Sequence, residues 1–97
     1  MKNDILNYQL TKNSGWKYIK ENLVITKTFV FETFPITIAW MTEIAFKCEK
    51  LDHHPEWTNV YSKVIVNLTT HDAGKVTDKD ITLAKMMDDA YEKHKKK

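Results

Sequence analysis

From Lys27 to Phe34, Phe29 and Phe31 alternate with Thr28, Val30 and Glu32, a period of two that predicts a strand with one face on a core. The preceding stretch, residues 16–25, is also rich in β-branched and aromatic residues, with Glu21-Asn22 as a turn inside it. The two segments are expected to pair as an antiparallel hairpin. At Phe34-Pro35 the period changes, and proline suits a first helical turn. Ile38, Met41, Ile44, Ala45, Cys48 and Leu51 then recur at helical spacing, predicting a helix over about 36–51. Residues 57–61 and 63–70 read as two further strands. Val64, Val66 and Leu68 fall on one face of the second, and Ile65, Asn67, Thr69 and His71 on the other. Asp72-Ala73-Gly74 is a turn. Thr77-x-x-Asp80 then has the form of a capping box, followed by Ile81, Ala84, Met87 and Tyr91 along a last helix. Near the N-terminus, Ile5, Leu6 and Leu10 predict a short helix over 4–12, ended by Asn13-Ser14-Gly15.

The expected order is α-β-β-α-β-β-α. This is an α+β fold, a four-stranded antiparallel sheet with three helices packed on one face. No linker, repeat or low-complexity segment divides residues 1–97, which read as one domain. A globule of this size buries roughly 60–65% of its unfolded surface, so self-association would add useful stability.

Composition narrows the setting. The net charge is +2, and much of the excess lies in Lys93, Lys95, Lys96 and Lys97, a solvated chain end. Lys and Glu are mixed elsewhere, without the basic stripe that nucleic acid requires. Cys48 is the single cysteine, so no internal disulfide forms. Its neighbours Ala45, Phe46 and Leu51 mark it as a buried small hydrophobe rather than a nucleophile. No apolar run approaches the ~20 residues that span a membrane. A soluble, cytoplasmic protein is the default expectation.

The candidate chemistry lies in His53-His54-Pro55-Glu56-Trp57 and Thr70-His71-Asp72, which hold three of the four histidines. Imidazole, with a pKa of roughly 6.5, gives and takes protons near neutrality. Pro55 pushes His54 out of the helical region, so the pair lies at a helix-to-strand junction. With His71 at a strand end and Asp80 at a helix start, these groups suggest a pocket for general acid–base chemistry. No serine elbow, glycine-rich phosphate loop or covalent nucleophile accompanies them. A zinc site is the weaker alternative, because adjacent histidines seldom converge on one ion and no ligand-pair spacing is present. Structural roles compete throughout. His53 fits a helix C-cap, Asp80 a capping residue, and Trp16, Trp40 and Trp57 a core. His94, in the lysine-rich end, has no assigned role.

Glu49-Lys50-Leu51-Asp52-His53-His54-Pro55-Glu56-Trp57, then Asn59-Val60-Tyr61, Thr69 to Gly74 and Asp80, resemble the signature of the pterin-4a-carbinolamine dehydratases. The resemblance runs from about Trp16 to Met87 and includes Phe29-x-Phe31-x-x-Phe34 and Asp80-Ile81-x-Leu83-Ala84. It implies removal of water from 4a-hydroxytetrahydrobiopterin to give quinonoid dihydropterin, recycling the cofactor of an aromatic amino acid hydroxylase. It implies no metal and no cofactor, the pterin being the substrate. It places catalysis at His53, His54 and His71, with Asp80 in the pocket, Pro55 and Trp57 along its wall and Glu49 supporting the histidine pair. His54 and His71 are expected to flank the reacting centre, with His53 hydrogen-bonding or sharing the proton transfer; acid and base stay undistinguished. The family implies a homodimer or homotetramer, with no membrane and no direct nucleic-acid contact. Its animal members also serve as dimerisation cofactors of a homeodomain transcription factor, which makes an oligomeric scaffold the rival reading and the nucleus a second location in eukaryotes. Lys75 departs from the small or apolar residue common at its position.

Overall fold

The expected alternation becomes a four-stranded antiparallel sheet in a computed structural model, which describes residues 15–95. The strands are β1 (Lys17–Ile19), β2 (Val24–Val30), β3 (Glu56–Val60) and β4 (Lys63–Leu68), in the spatial order β1-β2-β4-β3. Two helices complete the described residues, α1 (Phe34–Leu51) and α2 (Asp78–Lys95). The expected helix over 4–12 lies outside the described residues, so two of the three helices are seen.

The core lies between the sheet and both helices. Ile25, Phe29, Val64, Val66 and Leu68 supply the sheet side and are all essentially inaccessible. Phe29 meets Trp40 of α1 and Tyr91 of α2, with ring centroids 4.7 and 5.3 Å away, so both helices cover one face. Trp40 is fully buried and donates its indole N–H to the carbonyl of Met87 at 3.1 Å. That bond satisfies the one polar atom of a large apolar group.

Two expectations shift. The first hairpin does not turn between the segments 16–25 and 27–34. It turns at Lys20–Leu23, and Val24–Val30 is one strand paired to β1 through Ile19↔Val24. The turn puts Leu23 at φ 55, a left-handed conformation that glycine usually marks and leucine conceals. The buried face of α1 is also rotated from the expected stripe. It comprises Thr37, Trp40, Ile44 and Cys48, while Ile38 and Ala45 lie on the exposed side. The outer face of α1 carries exposed Ile38 and Phe46, so two apolar faces compete in the sequence pattern.

Candidate active site

Four element ends meet at one end of the sheet. Glu56 pairs with Asn67, so the start of β3 lies beside the end of β4. The chain enters β3 from α1 through Asp52–Pro55, and leaves β4 through residues 69–77 into α2. The local signals for this layout are plain. Thr33 caps α1, its side chain accepting from the Ile36 N–H, and Pro35 follows in the first turn. At the other end, Asp52 adopts a left-handed conformation (φ 54), and the His53 N–H bonds back to the Cys48 carbonyl at 3.1 Å. This is a Schellman-type stop, with Pro55 just beyond it. The helix cap is thus made by the backbone of His53, and its ring is left for other work.

That ring reaches α2. His53 Nε2 lies 2.5 Å from Asp80 Oδ1, and both side chains are buried, 8% and 0% exposed. Asp80 stands at the third position of α2, where a carboxylate suits the helix dipole. Its Oδ2 accepts the Thr77 backbone N–H at 2.9 Å, which is half of the expected capping box. The same oxygen accepts the hydroxyl of Thr70 at 2.8 Å. The other half of the box is redirected, because the Thr77 hydroxyl meets that of Thr70 at 2.6 Å. Every oxygen of this buried carboxylate is therefore engaged. His53 Nδ1, by contrast, has no hydrogen-bond partner among the described residues.

The remaining site residues are arranged around this pair. His54 is exposed and faces Glu49 across 3.8 Å, with the Glu49 side chain 84% exposed, an ion pair of small energetic weight. His71 is exposed in the loop that follows Thr70. The loop is closed by Gly74, whose N–H bonds to the Thr70 carbonyl at 2.8 Å and whose φ of 67 suits glycine. Lys75 is exposed and bridges back to Thr70 through the backbone. Pro55 is half-buried. Trp57 is half-buried too, and it leans on Trp40 with centroids 6.1 Å apart, on the helix-covered face of β3. Asn59, part of the sequence signature, serves the hairpin instead. Its amide donates to the Tyr61 and Lys63 carbonyls, each at 3.0 Å, and braces the positive φ of Tyr61.

Sequence reasoning did not single out Thr70 as a site residue. Its one signal was position, next to His71 and ten residues before the capping carboxylate. Cys48 is buried, and burial pushes its thiol up to about 11, which makes it a poor nucleophile. Among the described residues, no group of three or more His, Cys, Asp and Glu is placed to hold a metal ion. Among them too, no helix is long and apolar enough to cross a membrane. A hollow of about 380 Å³ lined by Val30, Phe31, Glu32, Ile36, His94 and Lys95 lies at the opposite end of the sheet, where β2 ends. Its walls lack the buried, convergent polar groups found around His53.

Residues 1–90 match the family model described as pterin 4 alpha carbinolamine dehydratase. The chain belongs to that family. It is 50% identical over 76 residues to a relative from Jannaschia, covering 78% of each chain. It is 51% identical over 82 residues to one from Rhizobium johnstonii, covering 84% of this chain and 81% of that one. Both relatives carry the pterin-4-alpha-carbinolamine dehydratase name provisionally. A crystal structure of a transcriptional coactivator/pterin dehydratase from Brucella melitensis superposes with a TM-score of 0.83 at 37% identity, covering 93% of this chain and 92% of that one. The fold also resembles a pterin dehydratase-like protein identified as a RuBisCO assembly factor in the alpha-carboxysome, with a TM-score of 0.69, 18% identity, and coverage of 79% of this chain and 89% of that one.

Proposed function

We propose that this protein is a 4a-hydroxytetrahydropterin dehydratase. The observation that carries the reading is the buried His53–Asp80 pair, which leaves one ring nitrogen without a partner among the described residues, at the end of the sheet where His54 and His71 also lie. The reaction asks for two proton movements. The hydroxyl on the tetrahedral 4a carbon leaves as water and needs a proton. The neighbouring ring nitrogen gives one up as the new double bond forms. A base held in one orientation and an accessible acid meet both needs, and a positioned group of either kind is worth about 10²–10⁴ in rate.

In our reading His53 is the base. Asp80 faces Nε2 and stabilises the imidazolium that forms when Nδ1 takes the pterin proton. His71, exposed beside Thr70, and His54, exposed beside His53, deliver the proton to the leaving hydroxyl. Asp80 is screened from any substrate by its own bonds, so it acts through His53. Pro55 borders the site, and Glu49 acts on His54 alone.

The physiological role that fits is recycling of a tetrahydropterin used by an aromatic amino acid hydroxylase, in the cytoplasm. Self-association as a homodimer or homotetramer is supported by two features. Among the described residues β3 has a single neighbouring strand, and Phe46 on α1 is 72% exposed. The solved relative's double designation supports a second reading, an oligomeric coactivator or scaffold. Ultraviolet-monitored decay of the carbinolamine separates the two: acceleration by the protein supports the enzyme, and a rate equal to the spontaneous one supports the scaffold.

A further inference from the structure

We propose that Thr70 is a positioning residue for this dehydration, the last donor of a one-way hydrogen-bond chain that fixes the proton of His53 on Nε2. The inference rests on the dehydratase reading above. Thr70 Oγ1 lies 2.8 Å from Asp80 Oδ2 and 2.6 Å from Thr77 Oγ1. A hydroxyl has one proton to donate, and a carboxylate only accepts. The Thr70 proton therefore belongs to Asp80. The proton shared by the threonines must then come from Thr77, which sets the direction Thr77 to Thr70 to Asp80. The Thr77 N–H, at 2.9 Å, is the second donor to Oδ2. Held by both, the carboxylate turns Oδ1 onto His53 Nε2. A ring nitrogen facing a carboxylate carries the proton, so the neutral ring keeps its lone pair on Nδ1. That is the nitrogen with no protein partner among the described residues.

Thr70 thus acts through Asp80. Replacing its hydroxyl with a methyl group removes one donor from Oδ2 and leaves the Thr77 hydroxyl without its acceptor. The terminal torsion of an aspartate is broad, so the carboxylate is then held at Oδ2 by the Thr77 N–H alone and turns more freely. The ring loses its fixed tautomer, and Nδ1 spends part of its time protonated and unable to accept.

The test pairs side-chain ¹H–¹⁵N correlation of the histidines with dehydration kinetics, on the full chain and its Thr70→Val and Thr70→Ser variants. The native protein should show His53 as the Nε2–H tautomer. Thr70→Val should show mixed tautomers with kcat reduced about tenfold or more and KM little changed, and Thr70→Ser should restore both. An Nδ1–H tautomer in the native protein overturns the proposal without any variant, so a Thr70→Val chain that fails to fold does not shelter it. A folded Thr70→Val with native tautomer and native kcat overturns it equally. A native protein without dehydratase activity, whose His53 tautomer nonetheless responds to Thr70→Val, sinks the enzymatic reading and supports the hydrogen-bond chain.

Discussion

His53 and Asp80 stand 27 residues apart in the chain, yet His53 Nε2 lies 2.5 Å from Asp80 Oδ1 with both side chains buried. The contact joins the end of α1 to the start of α2. It is at once a tertiary link and, in our reading, the source of a fixed base. Asp80→Ala should fail on both counts. It leaves the Thr77 N–H, the Thr70 hydroxyl and His53 Nε2 without their acceptor, each orphaned group costing about 1–3 kcal/mol. Asp80→Asn keeps an acceptor but loses the charge. We expect Asp80→Ala to lower the melting temperature clearly, and Asp80→Asn to lower kcat by about 10² with a smaller loss of stability. Thermal melts beside steady-state kinetics check this; a fully active Asp80→Asn protein speaks against the base assignment.

His54 and His71 make the opposite prediction. Both are exposed, so alanine at either position should shift stability by no more than about 0.5 kcal/mol. Each should still lower the dehydration rate about tenfold or more if it serves proton transfer to the leaving hydroxyl. A substitution that spares the melt and damages the rate marks a chemical role. Unchanged rates in both variants would remove them from the mechanism.

Glu43 supplies a pH dependence away from the site. Its carboxylate accepts from Lys93 and His94 of α2, each at 2.9 Å. The Lys93 and then the His94 hydrogen bonds hold its pKa below the ordinary 4.5. A carboxyl lowered on folding contributes stability that is fully present above its ordinary value and lost as pH falls through the folded one. Glu43→Gln should therefore be less stable than the native chain at neutral pH, by about 1 kcal/mol or less because the group is partly solvated. The two should converge well below pH 4.5. Urea denaturation at a series of pH values measures the gap; a constant gap refutes the assignment.

Cys48 is expected to be inert. Its thiol is buried and raised to about 11, so at pH 8 little thiolate exists to react. A thiol-specific disulfide reagent should label the unfolded chain quickly and the native one at the rate of opening. Rapid labelling under native conditions contradicts the packing described for the C-terminal half of α1.

The histidine junction was legible because its markers are local. Pro55 ends any helical reading at His54, and Thr77-x-x-Asp80 spells a helix start three residues from its cap. What joins them was not legible. Thr70 sits among residues typical of a strand end, and its value comes only from the approach of β4's end to the first turn of α2. Glu21-Asn22 marked the first turn, but Leu23 gave no hint of the positive φ that closes it or of how early β2 begins. The α1 stripe misled for a different reason. Ile38 and Ala45 fit a helical period as well as Thr37 and Trp40 do, and only packing against Met87 and Phe29 decides which face turns inward.

The most direct test of the central claim is the decay of 4a-hydroxytetrahydropterin followed in the ultraviolet, without protein, with the native chain and with His53→Ala. The native chain should accelerate loss of water well above the spontaneous rate, and His53→Ala should return most of that gain. Decay at the spontaneous rate with native protein, or full activity without the His53 ring, contradicts the account.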